Sequence, residues 1–395
     1  MNKIKYVDND IDKGIIVDWK LIRKKYKQLG CPSDVYDPCT LPLGKATYYT
    51  LLSERKTGKT TNVLLIGMLL YMEYGIITQY IRATENMIQR RNTAELFATI
   101  IKYGYIEKIT DGKYNNVTYY ARKWHFCFVD ETGEVIDTDP NHFMFCLAVE
   151  LSETYKSSYN CPTGDWIIFD EFIRKTYRFN EFVDFIDVLS TIIRNRLTAN
   201  IIMLANTIDK HSEYFNELEI YDDIQTIEVG QRETITTELG TKIYVELISD
   251  KHDKNEKKKY NSLYFGFKNP KINAVTGGEW AVNNYPHIQK GFETMFRGLY
   301  IEYHGRLLAL DIVRYPDIGL CINVHTAFKT YPDSIIYTLQ EPKDNRYRYY
   351  MGTGTKLDRL IVKMVKAHKI RFQNNACGTM FFNHYNMKDA KKGGY

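Results

Sequence analysis

The sequence predicts an α/β fold built on a largely parallel sheet, and three observations carry that expectation. Apolar or β-branched runs recur at 46–52, 76–82, 124–129, 166–170 and 200–205, separated by segments long enough to hold helices. A polar loop at 53–58 joins the first run to an apolar helical stretch at 59–74, giving strand, loop and helix in that order. The fourth run ends in two adjacent acids, Asp170 and Glu171.

The other elements follow in order. Trp19, Ile22, Tyr26 and Leu29 recur at helical spacing with lysines and arginines between them, and Gly30 with Cys31-Pro32 ends the pattern, so a short amphipathic helix is expected. A second amphipathic stretch covers 182–193. After about residue 225 the texture changes to short strand-like pieces at 241–248, 262–267, 299–303, 307–313 and 320–324, with turn signals between them. The charged insert at 251–259 and the pair Gly277-Gly278 read as surface loops.

At 395 residues the chain has room for two to three domains, and 44% hydrophobic with 26% charged residues is an ordinary globular composition. Global disorder, collagen-like repeats and a bare coiled coil are excluded. The longest apolar stretch, 63–72, is broken by Gly67 and falls short of a bilayer span, and the first ten residues are too polar for a secretory signal, so a cytoplasmic protein without membrane association is expected. Seven scattered cysteines with no CxxC pair suggest neither a disulfide framework nor a zinc knuckle. The net charge of +5 is small for this length, but residues 343–395 carry twelve Lys/Arg against three Asp/Glu. Tyr347, Tyr349, Tyr350, Phe372, Phe381, Phe382 and Tyr385 are interleaved with them, which makes that end a candidate nucleic-acid surface.

The sharpest signal is Ser53-Glu54-Arg55-Lys56-Thr57-Gly58-Lys59-Thr60-Thr61, which has the form of a P-loop with its first glycine replaced. Backbone N–H groups of such a loop and of the following helix start point at phosphate oxygens. Gly58 lets the backbone approach, Lys59 neutralises the β- and γ-phosphates, and Thr60 offers a hydroxyl to Mg²⁺. Trp166-Ile-Ile-Phe-Asp-Glu171 is the matching second half, a Walker B strand. Asp170 at its end would hold Mg²⁺ through water, and Glu171 would polarise the water that attacks the γ-phosphate. The pair of motifs predicts a site for ATP or GTP.

Two further stretches fit a ring motor. One arginine of Ile193-Arg194-Asn195-Arg196 could reach a neighbour's γ-phosphate as a finger, although cations at a helix C-terminus also favour its dipole. Asn206 closes an apolar strand where a γ-phosphate sensor would sit, although asparagine also commonly turns the chain there.

Taken together these pieces resemble the genome-packaging (encapsidation) ATPases of small Picovirinae-type podophages, which are related to large-terminase motors. The most specific stretch is Ile168-Phe-Asp-Glu-Phe-Ile-Arg174, followed by Ile193-Arg-Asn-Arg196 and Leu204-Ala-Asn206. Tyr80-Ile-Arg82 and the segment 153–157 extend the resemblance, which spans most of residues 45–228. Ser53 departs from it, standing where the family usually has glycine. The resemblance implies an additional-strand, catalytic-glutamate P-loop ATPase, with Arg194 as trans-acting finger, Lys156 as a second trans-acting cation and Asn206 as coupling residue. It also implies a pentameric ring at the portal vertex of a procapsid in the host cytoplasm, driving double-stranded DNA inward with ATP and Mg²⁺. A capsid portal or connector, and a packaging RNA, are the further partners it suggests.

The expected organisation is therefore an ATPase domain at 1–228 with an N-terminal extension at 1–45, a β-rich linker at 229–288, and a C-terminal domain at 289–395. The last is expected to be RNase-H-like and inactive, because Glu302, Asp311 and Asp317 lack the early strand Asp of a two-metal nuclease. Arg82, Arg90, Arg91, Lys113, Arg122 and Lys123 are candidates for gripping DNA phosphates without reading sequence. Competing readings are a helicase-like or remodelling P-loop ATPase, and a non-hydrolysing nucleic-acid-binding structural protein.

Overall fold

A computed structural model describes residues 4–174, 177, 178, 180–206, 210–251, 263, 285–349 and 355–390. The expected strand at 262–267, the insert beyond Lys251, the glycine pair and the last five residues lie outside them. The chain forms two compact units. The first comprises Met1–Ile173, Glu181–Ile208 and Leu218–Glu279, and the second Arg174–Asn180, Asp209–Glu217 and Trp280–Tyr395.

The first unit is organised by a ten-stranded sheet: β1 (Tyr48–Ser53), β2 (Thr78–Arg82), β3 (Asn116–Tyr120), β4 (Lys123–Val129), β5 (Val135–Thr138), β6 (Met144–Ala148), β7 (Trp166–Asp170), β8 (Asn200–Asn206), β9 (Arg232–Thr236) and β10 (Lys242–Leu247). The spatial order is β3-β4-β6-β2-β7-β8-β1-β10-β9, with β5 beside β4. All pairings from β6 to β10 are parallel, and the antiparallel pairs lie towards the two margins. Strand β8 therefore lies between the strand that enters the P-loop and the strand that ends in Asp170. This inserted strand is what the additional-strand class requires.

The central strands are apolar throughout because helices cover a parallel sheet on its faces. Every residue of β7 is buried, and the helix Lys59–Tyr74 hides nine consecutive positions from Asn62 through Leu70, and Tyr74 beyond them. That helix runs close to the sheet at Gly67, where an added Cβ would stand 2.4 Å from Thr78 Oγ1 and 3.1 Å from Trp166 Cδ1. The N-terminal helix Trp19–Gln28, capped by the Asp18 carboxylate, packs on the same helix. Its Tyr26 hydroxyl donates to Asn62 Oδ1 at 2.9 Å.

Strands β9 and β10 fall in the stretch expected as linker, yet β10 pairs in parallel with β1 from Tyr48↔Ile243 to Leu52↔Leu247. The first sheet thus continues past residue 228. Strand β10 buries the consecutive residues Ile243, Tyr244 and Val245, and Leu247 beyond them, as a strand flanked by β1 and β9 does.

The second unit carries a seven-stranded sheet: β11 (Glu293–Phe296), β12 (Leu299–Tyr303), β13 (Arg306–Tyr315), β14 (Gly319–Ala327), β15 (Ile335–Thr338), β16 (Tyr347–Tyr349) and β17 (Ile370–Phe372). Its order is β16-β15-β12-β13-β14-β17, with β11 beside β13. The helices Lys356–Lys366 and Asn375–Ala390 supply Ile361, Met364, Val365, Phe381 and Tyr385 to a core shared with Phe372 and Tyr337. This corrects the expectation for the basic terminal stretch. Phe372, Phe381 and Tyr385 are core residues rather than a stacking surface, whereas Lys356, Arg359, Lys363 and Lys366 are exposed on the shorter helix.

Gly67→Ala is expected to lower stability by about 1–3 kcal/mol, because the methyl overpacks a contact between helix and sheet. Urea unfolding of the two proteins checks this, and an unchanged midpoint would show that the helix moves away freely.

Candidate functional site: a phosphate-binding loop at the strand ends

The site is assembled where β1, β2, β7 and β8 end side by side, the edge at which open parallel sheets bind ligands. Strand β1 finishes at Ser53, the loop turns through Lys56 and Gly58 with φ of 69° and 76°, and the helix begins at Lys59. A Cβ on Gly58 would meet Val35 Cβ at 3.0 Å, and the backbone there is left-handed, so the position needs glycine. The segment before β1 braces the loop from outside, with Tyr36 N–H donating to the Thr57 carbonyl at 2.8 Å.

Lys59 is the centre of the arrangement. Ser53 and Asn206 are register partners at the ends of β1 and β8. The Lys59 ammonium, on a residue only 7% exposed, donates to Ser53 Oγ at 3.0 Å and to Asn206 Oδ1 at 2.8 Å. Ser53 Oγ also pairs with Thr57 Oγ1 at 2.8 Å. The residue that replaces a glycine thus contributes a hydroxyl to the lysine and closes the loop. Burial pulls the Lys59 ammonium down to about 8, against the opposing pull of Asp170 and Glu171.

Asp170, at the end of β7, accepts from Thr60 Oγ1 at 3.4 Å and from the Tyr80 hydroxyl at 2.8 Å. Burial raises its carboxyl above the usual range, with Arg82 and the Tyr80 hydrogen bond opposing. Glu171 has a left-handed backbone, φ 56°, and its half-exposed carboxylate accepts from Arg82 at 2.6 Å. A second guanidinium nitrogen of Arg82 lies 3.8 Å from Asp170. Burial opposes the charge on Arg82, but Tyr80, Asp170 and Glu171 outweigh it and raise its pKa.

Arg82 was expected among the DNA-gripping cations and instead faces the two acids. Tyr80 was not expected in the site except as part of the Tyr80-Ile-Arg82 resemblance. The available signal was strand periodicity: residues two apart on β2 share a face, and β2 neighbours β7.

The RNR turn separates its two arginines. Arg196 is buried, ion-paired with Asp165, and donates to the carbonyls of Cys161 at 2.9 Å, Gly164 at 3.4 Å and Ile192. Asp165 in turn accepts from Thr198 Oγ1 at 2.9 Å and from the Ile15 N–H at 3.3 Å. Arg194 is exposed, with φ 51°, and donates to the Tyr159 carbonyl at 3.1 Å. Lys156 is half exposed and ion-paired with Glu153 at 2.8 Å and Asp187 at 3.1 Å, contacts that raise its pKa.

The remaining cations divide by topology. Arg122 and Lys123 lie at the β3–β4 hairpin tip, beside the end of β6, where the Cys146 N–H reaches the Arg122 carbonyl. Arg90 and Arg91 are exposed on the segment that leaves β2. Lys113 precedes the other end of β3 and so stands about one strand length away, with its ammonium over the Tyr114 ring.

Fold and site together define the class: a P-loop NTPase fold with an additional strand and a glutamate following the Walker B aspartate. Along nearly all of its length the chain also follows particular solved structures. It is similar to the phi-28 gp11 DNA packaging motor, at 17% identity and a TM-score of 0.55, covering 90% of this chain and 99% of that one. It is equally similar to the bacteriophage phi-29 viral genome packaging motor assembly, at 16% identity, a TM-score of 0.55 and the same coverages. The chain thus shares the fold of these motors. No protein-family model and no curated protein matches the sequence.

Two predictions follow from the cations. Nucleotide phosphates favour the protonated Lys59, so binding should take up protons near and above pH 8, with apparent affinity falling by up to about tenfold per pH unit beyond it. Titration with a fluorescent ATP analogue from neutral to alkaline pH reads this directly, and a flat profile would mean the ammonium keeps its proton. Arg196→Ala leaves Asp165 buried without its cation and should cost about 3–5 kcal/mol, while Arg194→Ala should stay within about 0.5 kcal/mol. Thermal or urea unfolding compares the two.

Proposed function

We propose that the chain is an ATP-driven motor that translocates double-stranded viral DNA into a preformed capsid, hydrolysing ATP at the subunit interfaces of a ring. One joint observation carries the reading: a full Lys59, Thr60, Asp170, Glu171 and Asn206 site stands on a fold shared with the phi-28 and phi-29 packaging motors over 90% of the chain.

Binding of the triphosphate draws the Lys59 ammonium from Ser53 and Asn206 to phosphate oxygens, while loop N–H groups take the rest of the charge. Thr60 and Asp170, with oxygens 3.4 Å apart, are suited to hold Mg²⁺ between hydroxyl and carboxylate, directly or through water. That ion supplies neutralisation of the charge developing on the phosphates. Tyr80 fixes the second oxygen of Asp170 and so sets the direction of the first. Glu171, once released from Arg82, orients the attacking water and accepts its proton. Asn206, released by Lys59, then reports the phosphate state to the end of β8.

Arg194 is assigned as the finger offered to a neighbouring subunit. Its exposure supports this, and Arg196 is committed to Asp165. Lys156 is assigned as a second cation in trans. Arg90, Arg91, Arg122 and Lys123 are assigned to DNA phosphates, and Lys113 is set apart from them. The pentameric ring, the capsid portal and a packaging RNA rest on the resemblance in sequence, as does action at the portal vertex in the host cytoplasm.

For the second unit we keep the RNase-H-like reading without a nuclease site. Its antiparallel β12–β13–β14 strands with parallel β15 and β16 support the fold. Glu302 pairs with Lys343, and Asp311 with Arg297 and His325, so these acids are neutralised singly rather than gathered round metals.

The test is Mg-ATP hydrolysis across a protein-concentration series, with and without duplex DNA. Wild type should show cooperative, duplex-stimulated turnover. Lys59→Ala should abolish it, Glu171→Gln should slow it by about 10²–10⁴-fold, and Arg194→Ala by about 10³-fold or more. Full turnover in Glu171→Gln would remove the catalytic assignment, and full turnover in Arg194→Ala would remove the shared site.

A further inference from the structure

A second polar constellation lies in the second unit, on segments the function above does not use. Glu213 and Glu217 are one helical turn apart on Glu213–Glu217, and so share a face. His304 stands at the tip of the β12–β13 hairpin, where it and Gly305 both have positive φ, 47° and 72°, as a two-residue type I′ turn requires. One ligand atom from each of these three side chains lies within 4.8 Å of the others. Among the described residues, no other three His, Cys, Asp or Glu side chains meet in this way.

The electrostatics of this group are incomplete. The Glu213 side chain is 12% exposed and His304 21%, so both are largely withdrawn from water. One imidazole serves both carboxylates, with Nε2 against Glu213 and Nδ1 at 4.0 Å from Glu217. Neither glutamate forms an ion pair with a described lysine or arginine. Two carboxylates share one imidazole here, Glu213 largely withdrawn from water and Glu217 at the exposed edge, with the Arg306 charge acting on His304; a divalent cation would neutralise both carboxylates directly.

We propose that Glu213, Glu217 and His304 form a binding site for a transition-metal divalent cation of the zinc class. Carboxylate oxygens and an imidazole nitrogen are each zinc-class ligands, and the single imidazole separates this set from the all-oxygen sites that Mg²⁺ and Ca²⁺ prefer. The surroundings have the outer contacts that metal ligands use. The Tyr303 hydroxyl donates to the other oxygen of Glu213, and Asn383 Nδ2 donates both to that hydroxyl at 3.3 Å and to the His211 carbonyl at 3.1 Å. Coordination draws the two glutamates towards a single nitrogen of His304 and displaces its proton. The ion then ties the segment after β8 to the hairpin tip, some ninety residues away in sequence.

Equilibrium dialysis of the full, nucleotide-free chain against Zn²⁺, with Mg²⁺ as the contrasting ion, tests this. Wild type should retain about one Zn²⁺ more per chain than either His304→Ala or the near-isosteric Glu217→Gln, and little Mg²⁺. Zn²⁺ should also raise the melting temperature of wild type but not of Glu217→Gln. Equal Zn²⁺ in all three proteins would place the metal on the free cysteines and overturn the site, as would no retained Zn²⁺ in wild type. Because Glu217 is partly exposed and the Gln change preserves its shape, its result stands even if His304→Ala fails to fold.

Discussion

The proposed nucleotide site depends on one buried ammonium held between two strand ends. A lysine that is 7% exposed loses most of its hydration, which the fold offsets with two hydrogen-bonding oxygens, Ser53 Oγ and Asn206 Oδ1, and with the nearby charges of Asp170 and Glu171. Those oxygens lie opposite each other because β1 and β8 are adjacent, parallel and in register at Ser53↔Asn206. They are neutral, so they satisfy hydrogen bonds without satisfying the charge. A phosphate anion does both, and the low local dielectric that makes the empty state costly makes the exchange favourable. The central order β7-β8-β1 is therefore what brings these groups together and suits the loop to the triphosphate proposed for it.

The same logic governs the acids. Asp170 is held by Tyr80 and Thr60, which fixes its direction, while Glu171 is held by one guanidinium, that of Arg82. Asp170 is rigid because β7 is buried throughout, and Glu171 is the first residue beyond the strand, turned by a left-handed backbone onto a half-exposed side chain. Under the proposed mechanism a fixed position suits Asp170 as a metal-holding group, and the ability to change partners suits Glu171 as a water-activating one. Glu171 is paired with Arg82 in this structure, so that mechanism needs the pair to open. Arg82 remains beside Asp170 and Tyr80 when it does, and its positive charge need not leave the site.

How much of this was legible follows from burial. The helix at 59–74 and the strand at 166–170 are legible because the middle of the helix and the whole strand are buried, and each reads as an apolar run between polar ends. Strands β3 and β5 escape the sequence reading because they are half or fully exposed and carry no strong alternation, whereas β6 escapes it despite being buried, as a short apolar run with no motif at its end. The basic terminal stretch misled because charge was counted without helical period: its cations line exposed faces while Ile361, Met364, Phe381 and Tyr385 turn inward. Within the site, the loop and the Walker B acids could be read locally, since each motif is contiguous. Arg82 with Glu171, and Glu213 with His304, are separated by 89 and 91 residues and meet only through strand order and hairpin placement. No local spacing announces them.

The two arginines of the RNR turn show how a mobile functional group is prepared by an immobile one. Arg196 and Asp165 form a buried pair whose remaining donors and acceptors are filled by three carbonyls, a threonine hydroxyl and a backbone N–H. A pair this fully satisfied contributes conformational definition more than net stability, because burying either charge alone is expensive. What it defines is the path of the chain out of the helix Glu181–Ile193, including the left-handed residue Arg194. Arg194 itself keeps one weak restraint, the Tyr159 carbonyl, and stays exposed. The finger role proposed for Arg194 needs a fixed root and a free tip, and the neighbouring buried pair supplies the root. Exchanging the two positions would bury the exposed arginine and leave the turn without its anchor, which is why the order of the two arginines carries information that their shared identity does not.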